Sequence, residues 1–516
     1  MRISAKLSAL PAITLLASCT GSVKEQGDRP NVIIIMADDI GYGDLSWLGT
    51  NTISTPNTDR LAKEGVRFVN CYATSATSTP SRYGMLTGMY PWRKEGTGIA
   101  AGDAPMLISP EQFTMPDMFK SSGYTTGAIG KWHLGLGGER GKQNWNGLVS
   151  PNLSDIGFDY SYIMAATGDR VPCVYIENGR VVNLDPDDPI EVSYTAPFEG
   201  EPTALTNPEL LKLHPSQGHD QSIINGISRI GYMKGGKSAL WKDEEIADNI
   251  TNKASEFIIK NQEKSFFLYF GTHDIHVPRV PHPRFKGLSG MGDRGDAILS
   301  FDFSVGRIMH VLDSLGIADN TIVIVTSDNG PVVDDGYHDK AKELLGKHKP
   351  AANLRAGKYS IYEAGTRVPL IVRWPKGLNK PGDINPGLIS QIDFFASFAS
   401  ITGTSLQKGN APDSRNLSKL IQNKTTQGAP FIIQQNLNST LSIVKEGWKY
   451  IEPSDAEPIE FWTKTELGND LNPQLYNLKE DQGEKHNLAS TKKKKTEELK
   501  KQLEKLKNQS ISSVSH

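Results

Sequence analysis

Cysteine, net charge and long apolar runs are all scarce in this sequence, and each shortage removes a class of protein. Three cysteines in 516 residues cannot staple a disulfide-dense scaffold, and a single pair adds little to a core of this size. Cys71 lies in the apolar run 66–73, which favours a buried free thiol; Cys173 carries only a weak signal for pairing. A formal net charge of −2, from 56 Lys and Arg against 58 Asp and Glu, makes no global field for nucleic acid or an anionic membrane surface. Nucleic acid is not an expected partner, and any anion this chain handles must be held by a local site. The N-terminal apolar run, residues 7–17, is too short to span a bilayer. What remains is an ordinary globular composition without internal repeats. Its length exceeds the usual single-core limit, so one large domain plus a smaller one is expected.

The N-terminus reads as a targeting segment. Arg2 and Lys6 precede the apolar run, which ends in Leu16-Ala17-Ser18-Cys19. That ending resembles a bacterial lipobox, whose Cys is lipidated and becomes the mature N-terminus; an ordinary cleaved signal peptide with an incidental Cys is the alternative. The expectation is a signal peptide over 1–19 and a polar tether over 20–29. The protein would be periplasmic or associated with the outer membrane or cell surface, touching membrane only through a lipid anchor.

Strand and helix patterns alternate to about residue 401. Residues 31–37 (NVIIIMA) and 321–326 (TIVIVT) are unbroken β-branched runs suited to parallel strands buried on both faces, and 266–270 and 368–373 look similar. Between the first strand and Val66 lies a helix with Thr55 as N-cap, Pro56 at its first position and Gly65 as its stop. Short strands follow at 431–437, 441–452 and 474–478, then a helix in which Leu499, Leu503 and Leu506 repeat at helical spacing. The Lys492–Lys495 run is thus the solvated face of a docked helix. The fold class is α/β: a sandwich with a mostly parallel sheet over 30–423, plus a small α+β subdomain with an antiparallel sheet over 424–510.

Chemistry gathers where the strands end. The first strand runs into Asp38-Asp39 and the strand at 321 into Asp328-Asn329-Gly330. Sites in open α/β sheets lie beyond the carboxyl ends of strands, and three carboxylates with an amide oxygen suit a hard cation, calcium or magnesium. Helix capping by these acids is the bland alternative. Ser78-Thr79-Pro80-Ser81-Arg82, followed by Leu86-Thr87-Gly88, opens a helix with Ser78 at its positive end and Arg82 one turn on. By itself this is a capped helix with an anion site, since an unaided serine is a poor nucleophile.

That segment resembles the signature of the type I sulfatases of the alkaline phosphatase superfamily, in which the first residue is converted to formylglycine. The resemblance covers most of the chain and includes Gly130-Lys131-Trp132-His133, His276, Ser327-Asp328-Asn329-Gly330, Gly357-Lys358 and Glu363-Ala364-Gly365-Thr366-Arg367. It implies an alkaline-phosphatase-like α/β/α sandwich. It also implies one Ca²⁺ held by Asp38, Asp39, Asp328, Asn329 and the modified Ser78 (3-oxoalanine), with Arg82 helping to hold the nucleophilic oxygen. His276 would protonate the leaving oxygen, His133 would take the proton that lets the sulfated intermediate collapse, and Lys131 and Lys358 would neutralise the sulfate. His273 lies close to His276, and only the resemblance ranks the two. Serine at 78 resembles the variant matured by anaerobic radical enzymes, so a radical sulfatase-maturating enzyme is the implied partner and a sulfated carbohydrate the implied substrate. Asp169 and Arg170 are the first candidates for sugar binding, or else an exposed ion pair at a turn. Arg279, His338 and His348 are weaker candidates. A phosphate-ester or phosphonate hydrolase of the same superfamily is one alternative, and Asn329 with a single cation nest favours sulfate over it. An inactive glycan-binding lipoprotein is the other; it has no reason to keep the whole set of polar residues.

Overall fold

The computed structural model describes residues 29–509; the signal peptide, the Cys19 lipidation and nearly all of the tether lie outside the described residues. Ten strands form the main sheet, in the order Ile384–Asn385, Val66–Phe68, Leu370–Arg373, Thr321–Ser327, Asn31–Ala37, Phe266–Gly271, Thr125–Lys131, Tyr160–Met164, Tyr175–Glu177 and Arg180–Val181. The five strands from Thr321–Ser327 through Tyr160–Met164 run parallel. Every residue of Asn31–Ala37, Phe266–Gly271 and Thr321–Ser327 is buried, which is why these strands carry apolar runs instead of an alternating pattern. The helices fall into two groups. Pro56–Glu64, Ile246–Lys260 and Gly292–Ser314 pack together, and so do Ser78–Thr87, Met115–Ser121 and Phe394–Thr402, giving the expected α/β/α layering.

One local reading is corrected. Leu370–Arg373 is antiparallel to both Thr321–Ser327 and Val66–Phe68. Its apolar run marks burial but not direction; direction follows from the connection, which returns through loops and short helical turns without a crossover helix. Thr55 is the N-cap residue of its helix, but its side chain makes no capping hydrogen bond. Its hydroxyl instead accepts the Ser46 N–H at 3.0 Å and pairs with the Ser46 hydroxyl at 2.7 Å. Pro56 and Gly65 stand where the sequence puts them.

After residue 430 a four-stranded antiparallel sheet forms from Ile432–Gln435, Leu441–Lys445, Trp448–Ile451 and Gln474–Asn477. The span read as one strand over 441–452 folds back at Glu446-Gly447, both at positive φ. One face packs Ile432, Val444, Ile451 and Tyr476 against Tyr72 and Ile361 of the larger unit. The other packs Ile443, Tyr450 and Leu475 beneath Leu499 and Leu503 of the Lys493–Lys507 helix. No helix among the described residues is long and apolar enough to cross a membrane.

Candidate active site

Four parallel strands end at one place, and each delivers a polar group there. Asn31–Ala37 leads into Asp38 and Asp39, Thr321–Ser327 into Asp328 and Asn329, Thr125–Lys131 into Lys131 and His133, and Phe266–Gly271 into His273 and His276. Asp39 adopts φ 62°, a left-handed conformation that Asp tolerates better than most residues. Ser78 is the first residue of the Ser78–Thr87 helix, at its positive end, with Thr77 as N-cap. Its hydroxyl lies 3.2 Å from Asn329 Oδ1 and 3.5 Å from Asp38 Oδ1, and accepts from Lys131 Nζ at 3.0 Å. Asn329 Nδ2 donates to Asp39 Oδ1 at 2.7 Å and to Gly330 O at 2.9 Å, which leaves its oxygen facing Ser78.

Three buried cations brace this nest. Lys131 Nζ is 2.5 Å from Asp38 Oδ2 and 3.6 Å from Asp328 Oδ2. Arg82 donates Nε and Nη2 to Asp328 Oδ2 at 3.1 and 2.8 Å, and Nη1 to the Tyr269 hydroxyl at 2.6 Å. Lys358 bridges Asp39 and Asp335 at 2.9 and 2.8 Å. Four buried carboxylates, Asp38, Asp39, Asp328 and Asp335, therefore face three buried cations. The shortfall is visible in their acidities. Burial drives the Asp38 carboxyl well above the usual range and Asp39 above it, despite the opposing pull of Lys131 and Lys358. Asp328 goes the other way: burial would raise it, but Arg82 and Lys131 hold it below the carboxylate range. Asp38 and Asp39 are fully enclosed at 0% exposure, and a carboxylate in that setting needs a positive partner. A hard divalent cation fits the donors Asp38, Asp39, Asp328, Asn329 and residue 78, which are all oxygens.

The two histidines present different faces. His276 Nδ1–H donates to Val277 O at 2.8 Å, and Nε2 stands 3.9 Å from Asp39 Oδ2. His133 Nε2–H donates to Ala100 O at 3.0 Å, while Nδ1 is buried without a partner. Those carbonyl contacts fix the tautomers, leaving His276 Nε2 and His133 Nδ1 free to exchange a proton. Burial, reinforced by Lys358 for His276 and Lys131 for His133, holds both well below the usual histidine value. His273 is pushed down to about 4 by burial, and its Nε2 lies so close to Gly168 that a β-carbon there would stand 2.0 Å away. It packs, whereas His276 lines the pocket.

That pocket has a volume of about 210 Å³, with Ser78, His133, His276 and Lys358 among its lining residues. Asp169 and Arg170 also line it, paired at 2.9 Å with Asp169 buried, so they are not the exposed turn pair. His219 Nε2 is 3.0 Å from Asp169 Oδ2. Arg82 does not reach the pocket; it acts on the site through Asp328. Arg279 and His348 are corrected as sugar-binding candidates. Arg279 directs its guanidinium to Asp339 at 2.7 Å and to the carbonyls of Ile275, Val332 and Val333. His348 bonds Asp44 at 2.7 Å, beside Arg294. Both are buried supports. His338 lies apart from this pocket as well. The sequence reading missed Asp335, Tyr359, His219 and Trp462, loop residues whose convergence no local pattern signals.

A family model described as Sulfatase matches residues 30–404. The chain belongs to the sulfatase family. It is 56% identical over 509 residues to an N-acetylgalactosamine-6-O-sulfatase of Bacteroides thetaiotaomicron, covering 98% of this chain and 99% of that one. Human steryl-sulfatase is 30% identical over 455 residues, 81% of this chain and 74% of the relative. A solved sulfatase structure from work on glycosaminoglycan metabolism by Bacteroides thetaiotaomicron superposes with a TM-score of 0.92 at 57% identity, covering 93% of this chain and 100% of that one. The chain is thus a sulfuric ester hydrolase with the fold seen in sulfatases.

Proposed function

We propose that this sulfatase removes the 6-sulfate of an N-acetylgalactosamine unit at the end of a glycosaminoglycan or mucin-type chain, using formylglycine formed from Ser78 and one Ca²⁺. The observation that carries the chemistry is the ring of Asp38, Asp39, Asp328 and Asn329 oxygens gathered around residue 78 at the base of the pocket. The sugar is proposed from the 56% relative, which matches over nearly its whole length. Hydrated formylglycine supplies the nucleophilic oxygen and calcium the positive charge beside it. The chain's own residues do the rest. Lys131, 3.0 Å from Ser78 Oγ, favours the anionic form of that oxygen; Arg82 is a positioning residue that fixes Asp328. Lys358 faces the pocket and meets the sulfate oxygens as charge builds there. The negative charge of the bound sulfate ester favours a second proton on His276, taken up at Nε2, which the ring delivers to the departing sugar oxygen; His133 Nδ1 receives the proton whose removal frees sulfate. Asp169 and Arg170 hold sugar hydroxyls.

The domain division at 423/424, a signal peptide with lipidated Cys19, a periplasmic or outer-membrane-associated location and maturation by a radical enzyme belong to the same proposal. The test is sulfate release from N-acetylgalactosamine 6-sulfate by protein from a maturation-competent host, with mass spectrometry of the residue-78 peptide. Activity should track the peptide lighter by two hydrogens, and Ser78→Ala should be folded and inactive. Turnover by the Ala variant would overturn the chemistry; sulfate release from simple aryl sulfates but not from this sugar would overturn the substrate.

A further inference from the structure

The inner wall of the pocket comes from strand ends, but part of its rim comes from the C-terminal unit, through Leu437, Glu460, Trp462 and Thr463. Trp462 lies on a turn between the paired residues Ile459 and Glu466, and the residue is 51% exposed, with Phe461 beside it at 69%. Trp462 lines the pocket and Phe461 stands beside it, and together they leave an exposed apolar surface at its rim. The turn that carries them is held firmly. Glu460 Oε2 accepts from the Trp462 N–H at 2.9 Å and the Thr463 hydroxyl at 2.8 Å, Glu460 N–H donates to Thr465 O at 2.8 Å, and Leu467 N–H to Pro458 O at 2.8 Å. Arg355 ties Glu466 to the larger unit at 2.8 Å. Phe461 stands edge-on to the indole, ring centroids 4.8 Å apart at 81°, propping it upright.

Volume decides what this surface meets. At about 210 Å³ the pocket falls below the roughly 300–1,000 Å³ typical of sites for larger ligands, so it encloses one sugar and leaves the next at the rim, where Trp462 stands. We propose that Trp462 is a stacking platform for the second sugar of the substrate, receiving the C–H face of a pyranose linked to the sulfated residue, with Phe461 holding the ring in place. This rests on the sulfated-sugar reading above and adds to it that a chain, not a free monosaccharide, is the preferred substrate. An amphipathic ring with little rotamer freedom suits that task.

The experiment compares kcat/KM of matured wild type, Trp462→Ala and Trp462→Phe on N-acetylgalactosamine 6-sulfate and on a disaccharide bearing that sugar at its non-reducing end. Wild type should prefer the disaccharide. Trp462→Ala should lower that preference by about tenfold, mainly through KM, with Trp462→Phe between. Monosaccharide turnover combined with an unchanged disaccharide preference in Trp462→Ala overturns the platform alone. Equal losses on both substrates overturn it too, by making Trp462 part of the inner pocket. No turnover of either substrate by matured wild type overturns the sugar reading, and this inference with it.

Discussion

At the scale of single residues, the site separates groups that touch the reacting atoms from groups that hold them. Arg82 is enclosed at 0% exposure and directs all its nitrogens to protein acceptors, whereas His276 keeps Nε2 open to the pocket. The proposed acid makes a sharp expectation. A sugar alcohol is a poor leaving group and needs the proton; an acidic phenol hardly does. His276→Ala should therefore lose on the order of 10²–10⁴-fold on the sulfated sugar and far less on 4-nitrophenyl sulfate, measured by paired steady-state kinetics. Equal losses would move the acid elsewhere, although His273, packed on Gly168, is poorly placed to take over. Asp38, Asp39, Asp328 and Asn329 were legible because each follows a β-branched run directly. Asp335 and His219 were not, because they sit in long loops and acquire meaning only through Lys358 and Asp169, their distant partners.

At the scale of elements, what the sequence disclosed depended on what fills each strand. The runs at 31 and 321 declare themselves through branched side chains. Thr125–Lys131, which carries Lys131, escaped because it is built from small residues: a β-carbon at Gly127 would stand 2.7 Å from the Phe257 ring and one at Gly130 1.9 Å from Gly271 O. Close packing here excludes the very side chains by which strands are recognised. The join between the two units holds a second buried charge cluster. Lys449, on Trp448–Ile451, lies 3.2 Å from Glu363 and 3.0 Å from Glu484, and Glu484 accepts the Glu363 N–H. Burial, with Glu363 adding to it against Lys449, raises Glu484 to about 7. The folded form then binds a proton more tightly than an unfolded chain, whose glutamate titrates near 4.5. The contribution of Glu484 to stability should fall as pH rises from about 4.5 through 7 and level off above, while the buried neutral His133, His273 and His276 contribute a slope of the opposite sign. Asp274, pushed to about 7 by burial, acts in the same direction as Glu484. Denaturant titrations of wild type and Glu484→Gln across that window should diverge, the wild type losing more stability, or gaining less, as pH rises; parallel curves would place the titration elsewhere.

At the scale of the whole molecule, the sheet gathers more buried negative than positive charge at the carboxyl ends of its central strands, an imbalance that a bound cation would relieve. A ligand that binds only the folded form stabilises by about 2.7 kcal/mol at a concentration one hundred times its Kd. Added Ca²⁺ should thus raise Tm, chelation should lower it, and Asp39→Asn should weaken the response. A Tm indifferent to calcium and chelator alike would argue against the site. The sequence showed the large α/β unit and the small antiparallel one as separate patterns, but not that the second helps to wall the pocket of the first, because no periodicity records which turn reaches across. That arrangement has an evolutionary consequence. The bond-breaking apparatus and the turn bearing Trp462 are written in separate stretches of the gene, so the turn can drift, lengthen or be exchanged without disturbing hydrolysis. Relatives with one unvarying chemistry could diversify by retailoring this single hairpin, each addressing a different polymer.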